Sequence, residues 1–362
     1  MRIGIDARIF KYKEFSGIPN SVYEIIKRWM VTEKDNEYYL ISNSEIVMPC
    51  ELPSNWKKLI VPAVTGNGTL WQLFRVRGII KKLDLDYYWG TNYVLPRRIK
   101  GCKYLLTVYD LSFEVMPKVT SGKTLRVLKT LCRLSCNRAD VINAISESTK
   151  RDIVDLYGIK PEKVSVVYLA PSEEKKAKEV EPPDYKFILV LGTIEPRKNI
   201  DTIVRAFDKL KETDEKDIHI IFAGRYGWKY ESFKQLVDKS PYKQYIHIME
   251  YVDNDTKVML LNNAEMLMYP SLYEGFGLPI LEAFQHDLFV VTARNSSIPE
   301  VAGEAAFYVD DCYDFEGLAG RVREVLLLDE TEKLDLQKKM QQQLSIFSWD
   351  KCSREMMELL KR

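Results

Sequence analysis

Short apolar runs rich in β-formers recur between helical patterns along the whole chain, and this alternation constrains the fold more than any other feature. In residues 1–170 the runs are Ile3–Ala7, Tyr38–Ser42, Leu59–Val64, Asp86–Trp89, Tyr104–Tyr109, Val141–Ile145 and Val164–Leu169. Helical patterns such as Asn20–Met30 and Thr149–Tyr157 lie between them, the second stopped by Gly158. Near-continuous apolar strands alternating with helices predict parallel sheets covered on both faces. Runs at Phe187–Leu191, Ile218–Ala223, Ile246–Val252, Glu265–Tyr269, Phe289–Val291 and Ala306–Val309 repeat the pattern. The predicted class is α/β, with two doubly wound, Rossmann-like domains. The 362 residues suffice for two domains with separate cores. Residues 171–184 are charged, polar and proline-rich, a linker composition. The expected domains are therefore 1–170 and 185–348.

One strand–loop–helix unit carries the densest chemistry. The run ending at Tyr269 is followed by Pro-Ser-Leu-Tyr-Glu-Gly-Phe-Gly-Leu-Pro-Ile-Leu-Glu282. Gly275 and Gly277 let the backbone turn and approach a ligand closely, and Pro279 suits the first turn of a helix. The amides of Gly275, Phe276, Gly277 and Leu278 would then face an anion at a helix N-terminus. Glu274 in the loop and Glu282 one turn into the helix would flank that anion. A nucleotide sugar fits this pattern: amides for the diphosphate, and a carboxylate for the hydroxyls on each side. The simpler reading is that the glycines turn the chain and Glu282 faces solvent.

The stretch Pro270–Ala283 resembles the signature of glycosyltransferase family 4, retaining enzymes of the GT-B fold. The resemblance extends over nearly the whole chain and is strongest in its C-terminal half. It implies two domains facing across a cleft, the first taking the acceptor and the second the nucleotide sugar. The helical stretch from Trp349 to the C-terminus is expected to fold back on the first domain. Gly192-Thr-Ile-Glu-Pro-Arg-Lys-Asn199 resembles the mannosyl- and rhamnosyltransferase members most. There the Arg197 guanidinium can fork onto phosphate oxygens, and Lys198 adds a compact charge. By the same resemblance Glu274 orients the sugar ring and Glu282 the ribose. Gly224, Arg225, Tyr251 and Val252 stand at strand ends where the family holds the nucleobase.

In the first half the matches are looser. Phe15-Ser-Gly-Ile-Pro-Asn20 follows the first strand, and Gly17 matches the family's glycine loop only in part. Thr107-Val-Tyr-Asp-Leu-Ser-Phe-Glu-Val-Met-Pro117 resembles a segment that normally reads His-Asp at its centre. Here Tyr109 replaces the histidine that contacts the donor sugar, and Asp110 follows. A phenol can hydrogen-bond a sugar or phosphate oxygen but does not shuttle protons near neutrality. Asp110 serves either the site or as a cap for the next segment. Ser148 is the expected cap of the helix before Gly158, with Ser146 opening the loop.

Composition narrows the remaining possibilities. Residues 1–170 carry 27 Lys and Arg against 17 Asp and Glu, an excess of +10, while the remainder carries 26 against 35, or −9. Much of the excess lies in Trp71–Lys82, which mixes aromatics and bases, and in Lys123–Arg138, which sets Arg126, Lys129 and Arg133 close together. These are either solvated helix faces or an interfacial surface for anionic lipid. No recognition motif accompanies the charge, so a nucleic acid is not expected. Six cysteines without a CxxC pair fit a reduced, cytoplasmic setting, and no apolar run is long enough to span a bilayer. Histidine occurs only at positions 219, 247 and 286, and no acidic metal triad is evident, so no metal or other cofactor is expected.

The expected activity is thus metal-independent, retaining transfer of a hexose, with GDP-mannose as first donor and a dTDP- or UDP-sugar as alternative. The acceptor would be a glycan or lipid-linked glycan, handled at the inner face of a membrane. A nucleotide-sugar-binding protein without turnover and a GT-B epimerase or hydrolase are the alternatives. The epimerase would need an acid–base histidine, and the first domain contains none. A dinucleotide dehydrogenase is disfavoured, because no G-x-G-x-x-G follows the first strand.

Overall fold

The computed structural model describes all residues except 13, 14, 16, 64–67, 118–121, 174–177 and 214–216, together with the side chains of 122–124. Ser16, Val64 and the 174–177 part of the expected linker lie outside the described residues. The chain divides into two compact units, Met1–Leu169 with Ser348–Arg362, and Ala170–Phe347.

The N-terminal unit contains β1 (Arg2–Asp6), β2 (Glu37–Ser42), β3 (Trp56–Ile60), β4 (Tyr87–Gly90), β5 (Lys103–Val108), β6 (Val141–Ala144) and β7 (Val164–Val166). They form one parallel sheet in the order β3-β2-β1-β4-β5-β6-β7. The C-terminal unit contains β8 (Phe187–Leu191), β9 (His219–Ala223), β10 (Ile246–Met249), β11 (Met266–Tyr269), β12 (Val290–Ala293) and β13 (Phe307–Val309). These are also parallel, in the order β10-β9-β8-β11-β12-β13. In each sheet the strand order reverses once, between β1 and β4 and between β8 and β11. Loops at such a reversal part to opposite sides and leave a crevice beyond the strand ends, where ligands of doubly wound sheets bind.

Inward side chains explain the strands. Ile3, Ile5, Tyr88, Trp89, Leu106 and Ile142 are buried in the first sheet, as are Ile188, Ile220, Phe222, Met266, Met268 and Val291 in the second. Each unit has its own cluster of buried residues. The C-terminal helix Trp349–Lys361 belongs to the N-terminal unit, where it packs on the helix Ile18–Thr32. The Trp29 indole donates to the Ser353 carbonyl at 2.9 Å, and Arg28 Nε meets Asp350 Oδ1 at 2.6 Å.

Several boundaries differ from the sequence reading for physical reasons. β3 begins at Trp56 rather than Leu59, because an edge strand can expose Lys57 and Lys58 and still pair with β2. β10 ends at Met249, leaving Tyr251 and Val252 in the following loop. Trp71–Arg75 is π-helical before the α-helix Val76–Leu83 begins. The cap of the helix Glu147–Tyr157 is Ser146, not Ser148: its backbone is extended and its Oγ accepts from the Thr149 amide. Gly158, with φ 66°, terminates that helix as expected.

Candidate functional site

The loops after β8 and β11 meet at the strand reversal of the second sheet. After β8, a 3-10 turn covers Pro196–Lys198, and Asn199 takes a left-handed conformation, φ 58°, before the helix Ile200–Lys211. Asparagine tolerates this conformation better than most residues. The Asn199 side chain donates to the Pro270 carbonyl at 3.1 Å, and the Leu272 amide donates to the Arg197 carbonyl at 2.8 Å. These bonds bring chemistry from positions about seventy residues apart onto one spot.

Glu274 is at the centre. It is only 7% exposed. Its Oε1 lies 2.6 Å from Lys198 Nζ, and its Oε2 accepts from Arg197 Nη1 at 2.8 Å. Lys198 Nζ also donates to the Tyr269 hydroxyl at 2.6 Å. Arg197 reaches the Tyr273 carbonyl at 3.0 Å and Glu195 through Nε and Nη2. The loop carrying Glu274 is fixed from behind: the Glu274 amide donates to Ser296 Oγ, and the single Ser297 hydroxyl proton is shared between the carbonyls of Glu274 and Phe276, 2.9 and 2.8 Å away. Burial alone would raise the Glu274 carboxyl, yet Lys198 and Arg197 beside it hold it at about 2. It is therefore ionised at neutral pH. Burial pulls the Lys198 ammonium below its ordinary value, with Glu274 opposing, and pushes the Tyr269 phenol well up.

The remaining candidates on this unit fall around that cluster. Gly275, Phe276 and Gly277 are buried, and Leu278 starts the helix Leu278–Gln285 with Gly277 at φ 111°. Glu282 on this helix pairs with Lys257 at 3.0 Å and does not join the Glu274 cluster. Gly224 follows β9, its amide bonded to the Met249 carbonyl. A Cβ there would stand 2.0 Å from the Gly192 carbonyl oxygen, so only glycine lets the two loops run together. Arg225 lies 5.4 Å over the ring of Tyr251, which is 61% exposed, and Val252 is half-buried beside it.

The candidates of the N-terminal unit make these contacts. Gly17, φ 57°, precedes the helix Ile18–Thr32, and its carbonyl accepts from the Ser21 amide. Tyr109 is buried, its ring 6.4 Å from that of Tyr93, and burial pushes its phenol far up. Asp110, one residue ahead of Leu111, the N-cap of the turn Ser112–Val115, accepts through Oδ1 from the amide and hydroxyl of Ser112. At the strand reversal of this sheet stands a pair that the motifs did not single out. Arg8 grips the buried Asp6 carboxylate with two N–H groups, at 2.9 and 2.7 Å. On the C-terminal unit, Glu195, Tyr269, Asn199, Ser296 and Ser297 were likewise missed. Only Glu195 and Asn199 carried a signal, as neighbours of the Arg197-Lys198 pair.

Among the described residues, no group of three or more His, Cys, Asp or Glu is placed to hold a metal ion. No helix among them is long and apolar enough to cross a membrane.

Known proteins agree with this architecture. Residues 171–343 match the model of glycosyl transferases group 1, and residues 52–170 that of glycosyltransferase family 4. The O-antigen chain mannosyltransferase B of Escherichia coli is 28% identical over 287 residues, spanning 76% of this chain and 74% of that one. The serotype-specific mannosyltransferase WbdA of the same organism is 29% identical over 59% of this chain, a match covering only 27% of that longer protein. The crystal structure of WaaG, a glycosyltransferase involved in lipopolysaccharide biosynthesis, superimposes with a TM-score of 0.72 at 16% identity, covering 99% of each chain. Anabaena HepE, solved with UDP-glucose, gives a TM-score of 0.68 at 12% identity over 99% of each chain.

Proposed function

This chain belongs to the glycosyltransferases, family 4 in its N-terminal half and group 1 in its C-terminal half, and on that premise we propose that it transfers mannose from a nucleoside-diphosphate donor, GDP-mannose first, to a growing or lipid-linked glycan. The observation that carries this reading is the Glu274 carboxylate bridged by Lys198 and Arg197 at the strand reversal of the second sheet. The names of the curated relatives, mannosyltransferases of O-antigen chains, support the sugar and the product class.

In this reading Lys198 and the Gly275–Leu278 backbone hold the leaving diphosphate, and the nearby charge of Arg197 adds to them without its fork gripping phosphate. Glu274 orients the sugar and Glu282 the ribose. Tyr251, exposed and backed by Arg225, offers an aromatic face to the nucleobase. Transfer proceeds with retention. The acceptor oxygen attacks the anomeric carbon from the face that the diphosphate leaves. The C–O bond to phosphate breaks with its electron pair on the phosphate, and the acceptor's proton passes to a phosphate oxygen. No enzyme nucleophile takes part and no metal is required. The donor charge is already preorganised in the buried cluster, and removing one such group typically costs roughly 10²–10³ in turnover.

Leu70, Phe74, Val127 and Leu134 are exposed in the basic helical segments of the N-terminal unit, beside Arg75, Arg77 and Arg126. Apolar side chains among bases suit an anionic membrane surface, which would bring the protein to a lipid-linked acceptor. A donor-binding protein without turnover is the second reading, favoured by the buried tyrosine at the position of the family histidine.

A thermal-shift panel of GDP-, UDP- and dTDP-hexoses, followed by product analysis, tests the function. The expected result is stabilisation by one donor, transfer that persists in EDTA, and an anomeric proton coupling showing retention. Stabilisation without product in any acceptor screen would select the binding protein. Sedimentation with anionic liposomes tests the membrane contact, which salt should weaken.

A further inference from the structure

All three nitrogens of the Arg197 guanidinium are engaged. Nε donates to Glu195 Oε1 at 3.0 Å, and Nη2 lies 2.8 Å from the same oxygen. Nη1 donates to the Tyr273 carbonyl at 3.0 Å and to Glu274 Oε2 at 2.8 Å. The fork that the sequence suggested for phosphate is thus directed to carboxylates. A guanidinium is rigid and planar. Holding its Nε edge on Glu195 therefore fixes where Nη1 points, and with it the rotation of the Glu274 carboxylate. Lys198 takes the other Glu274 oxygen, so two cations, each on its own oxygen, define the carboxylate plane.

Glu195 is itself well held. Its backbone is extended, φ −149° and ψ 158°, and its carbonyl accepts from the Lys198 amide at 3.0 Å. Beside it Ile194 bridges to Tyr226, and the Gly227 amide donates to the Ile194 carbonyl. The Glu195 and Arg197 side chains are 23% and 20% exposed, so water screens the pair only in part.

We propose that Glu195 is a positioning residue for transfer: by gripping Arg197 it aims Glu274 at the donor sugar, and it touches neither sugar nor phosphate itself. The proposal rests on the reading of this cluster as the donor site. Removing Glu195 strips the Nε and Nη2 contacts from Arg197 while those of Nη1 to the Tyr273 carbonyl and Glu274 stay, and the carboxylate loses its fixed orientation. Displacing a reacting group by about 1 Å can cost about 10²-fold in rate. Diphosphate binding should not suffer, because Glu195 adds negative charge near the phosphates and its loss lowers repulsion.

The test is a double-mutant cycle with Glu195→Ala, Arg197→Ala and both together. Its readouts are GDP release from GDP-mannose and calorimetric titration with GDP. Glu195→Ala should lower turnover about 10²-fold, with GDP affinity unchanged or higher. Glu195→Gln, which keeps an acceptor oxygen, should recover part of the turnover. Adding Glu195→Ala to Arg197→Ala should cost nothing further, since one acts through the other. If Glu195→Ala does not fold, Glu195→Gln completes the same cycle. Full turnover in Glu195→Ala, losses that multiply in the double variant, or GDP affinity falling in step with turnover would each overturn the role. A wild-type protein inert toward GDP-, UDP- and dTDP-hexoses would overturn the proposed function, and this role with it.

Discussion

The two units build one topology twice and equip its crevice differently. Both sheets are parallel and reverse their strand order once. At the reversal of the second sheet, two acids, two bases and a phenol form one connected ionic cluster spread over two loops. At the reversal of the first stands the pair Asp6 and Arg8, two residues apart at one strand end, and the Thr91 hydroxyl bonds the Asp6 carbonyl. One strand further along, Tyr109 packs near Tyr93 and Asp110 accepts from Ser112. The topology supplies the crevice in both cases, and side chains decide what each crevice can bind. A diphosphate requires concentrated, oriented charge. An acceptor glycan presents hydroxyls, which backbone and neutral groups can meet.

The contrast predicts effects of graded size. Glu274→Ala or Arg197→Ala should reduce transfer by at least roughly 10²–10³, measured as GDP release, while far-UV circular dichroism stays native. Near-normal transfer by either would erase the distinction between the units. Gly224→Ala forces a Cβ to within 2.0 Å of the Gly192 carbonyl oxygen. Overpacking of this kind typically costs about 1–3 kcal/mol, readable as a lower urea midpoint with weakened donor binding.

Asp110→Ala removes the acceptor of the Ser112 amide and hydroxyl ahead of the short helical turn Ser112–Val115 and should cost about 1 kcal/mol of stability. Transfer should persist. If transfer vanishes while stability holds, charged chemistry is needed on the N-terminal unit as well.

The smallest effect concerns pH. At the start of the second sheet, His219 Nδ1 and His247 Nε2 share a hydrogen bond of 2.8 Å, with Tyr185 stacked on His219. One ring must donate and the other accept, so the pair cannot be doubly protonated and keep this bond. Burial lowers both imidazoles below the ordinary value of 6.5. The unfolded chain therefore binds these protons more readily than the folded one. The stabilisation from the neutral pair is complete above about pH 6.5 and is lost as pH falls from there through the lowered folded values. The melting temperature should fall modestly between pH 7 and pH 5, and His247→Gln should flatten that slope. An unchanged slope would remove the pair from the account of acid stability.

Much of this architecture could be read in the sequence, for reasons that particular residues make plain. Strands buried on both faces leave continuous apolar runs, so Phe187–Leu191 and Met266–Tyr269 were evident. Edge strand β3 hides its pairing behind two exposed lysines, and its start was placed three residues late. The glycines and proline around Glu274 announced a ligand loop, and Arg197 and Lys198 stood out as adjacent charges before a helix. Their mutual pairing was not legible, because it depends on contacts across 76 and 77 positions. Glu195, Tyr269, Ser296 and Ser297 look like ordinary loop and strand residues until those contacts are made. Serine caps are decided by backbone conformation, which explains why Ser146 rather than Ser148 holds the helix.

Hydrogen–deuterium exchange with and without GDP-mannose tests the central claim most directly, because it locates the donor without presupposing an acceptor. The account predicts new protection in 192–199 and 270–282, absent in Lys198→Ala at the same donor concentration. Protection confined to the 1–169 region, or unchanged in Lys198→Ala, would contradict it.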